Sequence, residues 1–87
     1  MRLKDVIGKE VVTEDGVRIG KVIDAEIENW VVTRLVLQLN RDAARSLGVR
    51  LALRPKGSVN PSFVKGVGDY ITLSVPSGKL DEALKPE

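Results

Sequence analysis

Arg18-Ile19-Gly20-Lys21-Val22-Ile23-Asp24-Ala25-Glu26-Ile27-Glu28 is the stretch that decides the fold. Its second half alternates, with Ile23, Ala25 and Ile27 on one face and Asp24, Glu26 and Glu28 on the other. A period of two is that of a half-buried strand. The first half breaks the phase, because Val22 and Ile23 are adjacent and both apolar. Gly20 stands just before them, and a glycine inside a strand marks a bulge or a sharp bend. Bends of this kind curl a small sheet into a barrel.

Downstream, Asn29-Trp30 falls at a hairpin and Val31–Leu39 returns as a strand. Leu35, Leu37 and Leu39 are expected to face inward. The opposite face carries Val32, Arg34, Val36 and Gln38, so this strand is expected to be covered on both sides. Upstream, Glu14-Asp15-Gly16 is a tight-turn signal after a short strand over residues 10–13. Leu3, Val6 and Ile7 have the spacing of one helical face and Gly8 the place of a stop, which predicts a helical turn plugging one end of the fold.

Residues 41–47 are predicted as a short helix, capped by Asn40 or Asp42 and stopped by Gly48. Residues 49–53 read as a strand that ends at Arg54-Pro55-Lys56-Gly57. Residues 60–64 form a tight turn with Pro61 at its first helical position. Residues 66–69 are a turn, and 70–75 the last clear strand, alternating Ile71, Leu73 and Val75 with Tyr70, Thr72 and Ser74. After Pro76-Ser77-Gly78 comes a tail in which Leu80 and Leu84 are one helical turn apart. The expected fold is mainly β, a small antiparallel β-barrel with one or two short helical turns, its domain over residues 1–75 and a C-terminal tail over 76–87.

Composition narrows the chemistry. The chain has 87 residues, 43% hydrophobic and 30% charged, with neither cysteine nor histidine. That size suits one domain with a modest core. Disulfides, thiolate metal sites, imidazole ligands and the commonest general base are all excluded. The serines have no histidine partner, so a conventional triad is excluded too. Asp24, Glu26 and Glu28 form the one close carboxylate row, and it reads as the solvated face of an amphipathic strand. Asp15 and Asp69 stand beside glycines and read as turn residues. Gly66-Val67-Gly68 is too short for a phosphate-cradling loop, and a strand follows it instead of a helix. No enzyme activity, metal or cofactor is expected.

A net charge of +2, spread along the chain, is too weak to argue for nucleic acid, which is not the expected partner. The charged opening Met1-Arg2-Leu3-Lys4-Asp5 and the absence of a long apolar run lead to the expectation of a cytoplasmic chain without membrane insertion. Binding is the remaining class of function. Trp30 is either a lid over a barrel mouth or an exposed anchor for a partner, since aromatics are enriched in binding hot spots. Val32, Arg34 and Val36 extend that candidate interface along one strand face, and Leu80 and Leu84 in the tail make a second.

Several stretches together resemble the PRC-barrel domain family. They are Leu3-Lys4-Asp5-Val6-Ile7-Gly8-Lys9-Glu10-Val11-Val12, then Asp15-Gly16-Val17-Arg18-Ile19-Gly20-Lys21-Val22-Ile23-Asp24, and, near the end, Val59-Asn60-Pro61-Ser62-Phe63-Val64-Lys65-Gly66-Val67-Gly68-Asp69-Tyr70-Ile71-Thr72-Leu73. The resemblance implies a small β-barrel that pairs with itself or with a paralogous PRC-barrel protein. Chains of this size are similar to stand-alone archaeal PRC-barrel proteins, some of which act in cell division through SepF, the membrane tether of FtsZ. The resemblance thus implies a dimeric adaptor. The alternative it carries is RNA or ribosome-assembly binding, as in the PRC domain of RimM, with Arg50, Arg54, Lys56 and Lys65 as a basic edge.

Overall fold

The computed structural model describes residues 1–49 and 54–87. Most of the strand expected over 49–53, and Arg50 of the basic edge, therefore lie outside the described residues. Seven strands are described, and all join one sheet: β1 (Glu10–Val12), β2 (Arg18–Glu28), β3 (Val31–Leu39), β4 (Lys56–Val59), β5 (Val64–Val67), β6 (Tyr70–Leu73) and β7 (Leu84–Pro86). Two short helices, α1 (Leu3–Val6) and α2 (Arg41–Ser46), and 3₁₀ turns at Pro61–Phe63 and Ser77–Glu82 complete the order.

Strand order across the sheet is β5-β6-β1-β2-β3-β4-β7. Two features differ from the expected antiparallel barrel. β1 pairs with β6 in parallel, and among the described residues strand pairing does not close the sheet, since β5 and β7 end the order. The parallel pair arises because the chain passes from β4 at one side to the β5–β6 hairpin at the other, so β6 reaches β1 running in the same direction. The sheet nevertheless curls strongly. Val59 ends β4 and Val64 starts β5, and five extended residues span at most about 17 Å. A flat sheet would hold those two strands about 24 Å apart, at about 4.8 Å per neighbour.

The curl is built where the sequence breaks phase. Gly20 lies between two bulged positions, Ile19 against β1 and Ile23 against β3. A Cβ on Gly20 would stand only 2.1 Å from the Gln38 carbonyl oxygen. Glycine is what lets β2 and β3 approach this closely at the bend. Thr33 is a further unpaired position, where Glu26 pairs with Arg34 and Ile27 with Val32.

The core fills the concave side. Val11, Val22, Leu37, Ile71 and Leu73 are fully buried there, with Leu35, Leu39 and Val59 beside them. The alternation read in 70–75 holds, with Ile71, Leu73 and Val75 inside. Asn40 caps α2 by accepting from the Ala43 amide at 2.8 Å, and Ala43 and Ala44 face the core. Asn60 likewise caps the turn at Pro61. In α1 the expected plug reduces to Val6, which packs on the core, while Leu3 and Ile7 are exposed.

Three segments depart from the sequence reading. Lys56 and Gly57 lie in β4, not in a loop, because Gly57 is small enough to sit against the Leu39 and Leu84 side chains. Gly66 and Val67 belong to β5, leaving the turn to Gly68 and Asp69. The segment set apart as a tail, 76–87, continues the sheet: β7 pairs with β4, and Leu80 and Leu84 enter the core at 4% and 1% exposure.

Asp15 fastens that segment to the β1–β2 turn. Its Oδ1 accepts from the Thr13 hydroxyl and from the Ser77 amide at 2.9 Å, and its Oδ2 from the Ser77 hydroxyl at 2.7 Å. Hydrogen bonds from Thr13 and then Ser77 hold the carboxyl below its ordinary 3.8, lowered to about 2. A carboxylate depressed on folding contributes stability that is complete above its unfolded pKa and lost as pH falls through the folded one. Asp15→Asn is thus expected to lower the melting temperature at pH 5, and the gap from the parent to shrink steadily between pH 4 and 2. A pH-independent gap in thermal melts would contradict the clasp.

Candidate protein-binding surface

The β2–β3 hairpin closes with two residues, Asn29 and Trp30, between the paired Glu28 and Val31. Their φ angles are +50° and +66°, both left-handed. This is the geometry of the hairpin turns whose twist matches the flanking strands. Asn tolerates it, but a bulky side chain there costs about 1 kcal/mol relative to glycine. The Trp30 side chain gains no burial in return, being 98% exposed. It therefore stands in solvent and does not lie as a lid over the core.

Ile27 and Val31 extend the apolar tip, at 50% and 62% exposure. Ile27 pairs with Val32 on the core-facing side, at a level where the hairpin runs past the core. That is why Ile27, expected inside, is half in solvent, whereas Val32 still packs on the core edge. Neither Ile27 nor Val31 was singled out from sequence. The signal for both was available: a two-residue turn fixes them one rung from an exposed tip.

The other predicted interface residues separate. Arg34 is exposed and donates to Glu26 Oε2, with its Nε at 3.0 Å, while Nη1 lies 3.8 Å from Glu87. The hydrogen bond and charge of Glu26 raise its pKa above the ordinary arginine value. Val36 is on the outward face but only 7% exposed, between Asp24 and Ser58 in neighbouring strands. Leu80 and Leu84 are core residues. The structure thus leaves Trp30, Arg34 and part of Val32 on the surface and withdraws Val36, Leu80 and Leu84 from it.

The outward face of β2 is segregated by charge. Asp24, Glu26 and Glu28 run toward the hairpin, and Arg18 and Lys21 occupy the opposite end. Beside them lies a cleft of about 290 Å³ whose walls include Arg18, Gly20, Lys21, Gln38 and Asn40. Arg18 is held in place by the Tyr70 ring, 5.6 Å from its guanidinium carbon, and by Glu10 at 3.3 Å. Lys21, Asp24 and Glu28 have no ion-pair partner among the described residues. No described helix is long and apolar enough to cross a membrane.

The described residues thus form a curled, mainly β sheet with short helices and an exposed apolar hairpin tip. The PRC-barrel domain model matches residues 1–80, and the chain belongs to that family. No curated protein matches it.

Proposed function

We propose that this chain is a non-enzymatic, cytoplasmic protein-binding adaptor that presents the β2–β3 hairpin to its partner. The observation that carries the reading is Trp30, held fully exposed in a backbone conformation unfavourable to it. Strain kept at a solvent-facing aromatic points to a role outside the fold's own stability. Family membership supports an adaptor-like domain. The finer setting, a dimer with itself or a paralogue in archaeal cell division, with SepF as a further partner, enters from the resemblance to stand-alone chains. For the RNA alternative, Lys56 stands on β4 and Lys65 on β5, so the two share no single loop, and the structure adds nothing in its favour.

Trp30→Gly separates binding from folding. Glycine suits the left-handed turn position, so the variant is expected to melt several degrees higher, about 1 kcal/mol being worth roughly 4–8 °C in a domain of this size. It is also expected to lose at least tenfold in affinity for whichever of the paralogue, SepF or itself the parent binds. The assay is calorimetric titration with each purified protein, alongside sedimentation for self-association. A variant that binds as the parent does would refute the role of Trp30.

A further inference from the structure

We infer that the β2–β3 hairpin takes a basic segment of another protein, one that sets lysine or arginine side chains beside apolar ones. The inference rests on the protein-binding reading of Trp30 and adds the partner chemistry that the hairpin selects.

Residues 24–34 carry Asp24, Glu26, Glu28 and Arg34, a net charge of −2 in a chain whose total is +2. The hairpin end is therefore acidic on a chain that is otherwise basic. One of its carboxylates is already engaged: Glu26 holds Arg34, the cation opposite it across the ladder. The other two face apolar residues across the ladder, Glu28 opposite Val31 and Asp24 opposite Val36. Both are exposed, and neither has an ion-pair partner among the described residues. Asp24 Oδ1 accepts from the amide of Ala25, the next residue in the chain.

Cross-strand neighbours stand about 5 Å apart, so Glu28 and Val31 set an anion directly beside an apolar group on the outward face. Trp30 follows at the turn, and Ile27 carries the apolar surface round to the other face. An apolar side chain of the partner covers the Trp30–Val31 area while an adjacent cation meets Glu28. A second cation reaches Asp24, four residues back along β2 and about 13 Å away. Complementary charge of this kind speeds encounter and suppresses wrong partners. Nucleic acid and anionic lipid have the wrong sign, since their phosphates are repelled where the indole has to approach them. A basic segment of a protein satisfies the carboxylates and the apolar tip together.

Trp30 is the chain's single tryptophan, so its fluorescence reads this contact without a label. The full chain at low salt is titrated with three short peptides. All have leucine at every third position, and lysine, serine or glutamate fills the places between. The lysine peptide is expected to shift the emission to the blue and to bind at least tenfold tighter than the serine peptide. The glutamate peptide is expected to bind more weakly still, and the differences to shrink as salt rises. Glu28→Lys is expected to cost at least tenfold toward the lysine peptide and to improve binding of the glutamate peptide. Glu14→Lys makes the same charge change at an exposed position beyond the other end of β2. It is expected to leave both affinities unchanged, which separates the charge of the hairpin from that of the whole chain. Circular dichroism checks that both variants are folded. Equal affinity for the three peptides, or equal losses from the two variants, would overturn the inference. So would a blue shift with phosphatidylglycerol vesicles, which makes lipid the occupant, or with rising protein concentration alone, which makes it a second copy. The adaptor reading is judged separately, by Trp30→Gly: a protein partner that needs Trp30 but is indifferent to Glu28→Lys leaves that reading standing and removes this one.

Discussion

A chain ending at Val75 is expected not to fold cooperatively. Removing 76–87 takes Leu80, Ala83 and Leu84 out of the core, where each is at most 5% exposed. It also strips β7 from β4 and leaves Asp15 without Ser77. Cutting two buried leucines back to alanine would alone cost about 4 kcal/mol or more. A domain of this size has roughly 4–13 kcal/mol of stability in total. Circular dichroism melts of residues 1–75 should show a broad, low-temperature transition or none. A sharp transition close to that of the full chain would place the domain boundary at Val75 after all.

Gly20→Ala is expected to be the most damaging single-methyl change among the described residues. All three atoms nearest the added Cβ are backbone: the Gln38 oxygen at 2.1 Å, its carbonyl carbon at 3.0 Å and Leu39 Cα at 3.1 Å. No side chain can swing aside, so β2 and β3 must separate at the bend that curls the sheet. We expect a loss of about 3 kcal/mol, or roughly 12–24 °C in melting temperature. Gly57→Ala makes the informative contrast. There the two closest atoms are the ends of Leu39 and Leu84, at 3.1 and 3.2 Å, and those side chains can yield. Equal melting temperatures for the two variants would show that the close approach at Gly20 does not govern the fold.

The long hairpin was legible because its signals are local. Alternation in Arg18–Glu28, the apolar inner face of Val31–Leu39 and the Asn-Trp turn all state their geometry within a few residues. The capping of α2 by Asn40 and of the Pro61 turn by Asn60 was legible for the same reason. What stayed hidden depends on distant partners. Lys56-Gly57-Ser58-Val59 carries little strand character, and only the pairing of β3 on one side and β7 on the other makes it a strand. Leu80 and Leu84 gave the spacing of one helical turn, but Leu80 lies in a 3₁₀ turn and Leu84 in a strand. In the candidate surface, Trp30 and Arg34 could be placed from sequence. The cover over Val36 could not, because it depends on the neighbouring strands of a curled sheet.

The two margins of the open sheet bear on how the protein behaves at high concentration. β7 ends with Pro86, which has no N–H to offer an incoming strand, and β5 carries Lys65 at an irregularity in its pairing. Such margins resist backbone annealing between molecules. At high concentration these two edges therefore offer little template for cross-β stacking between molecules.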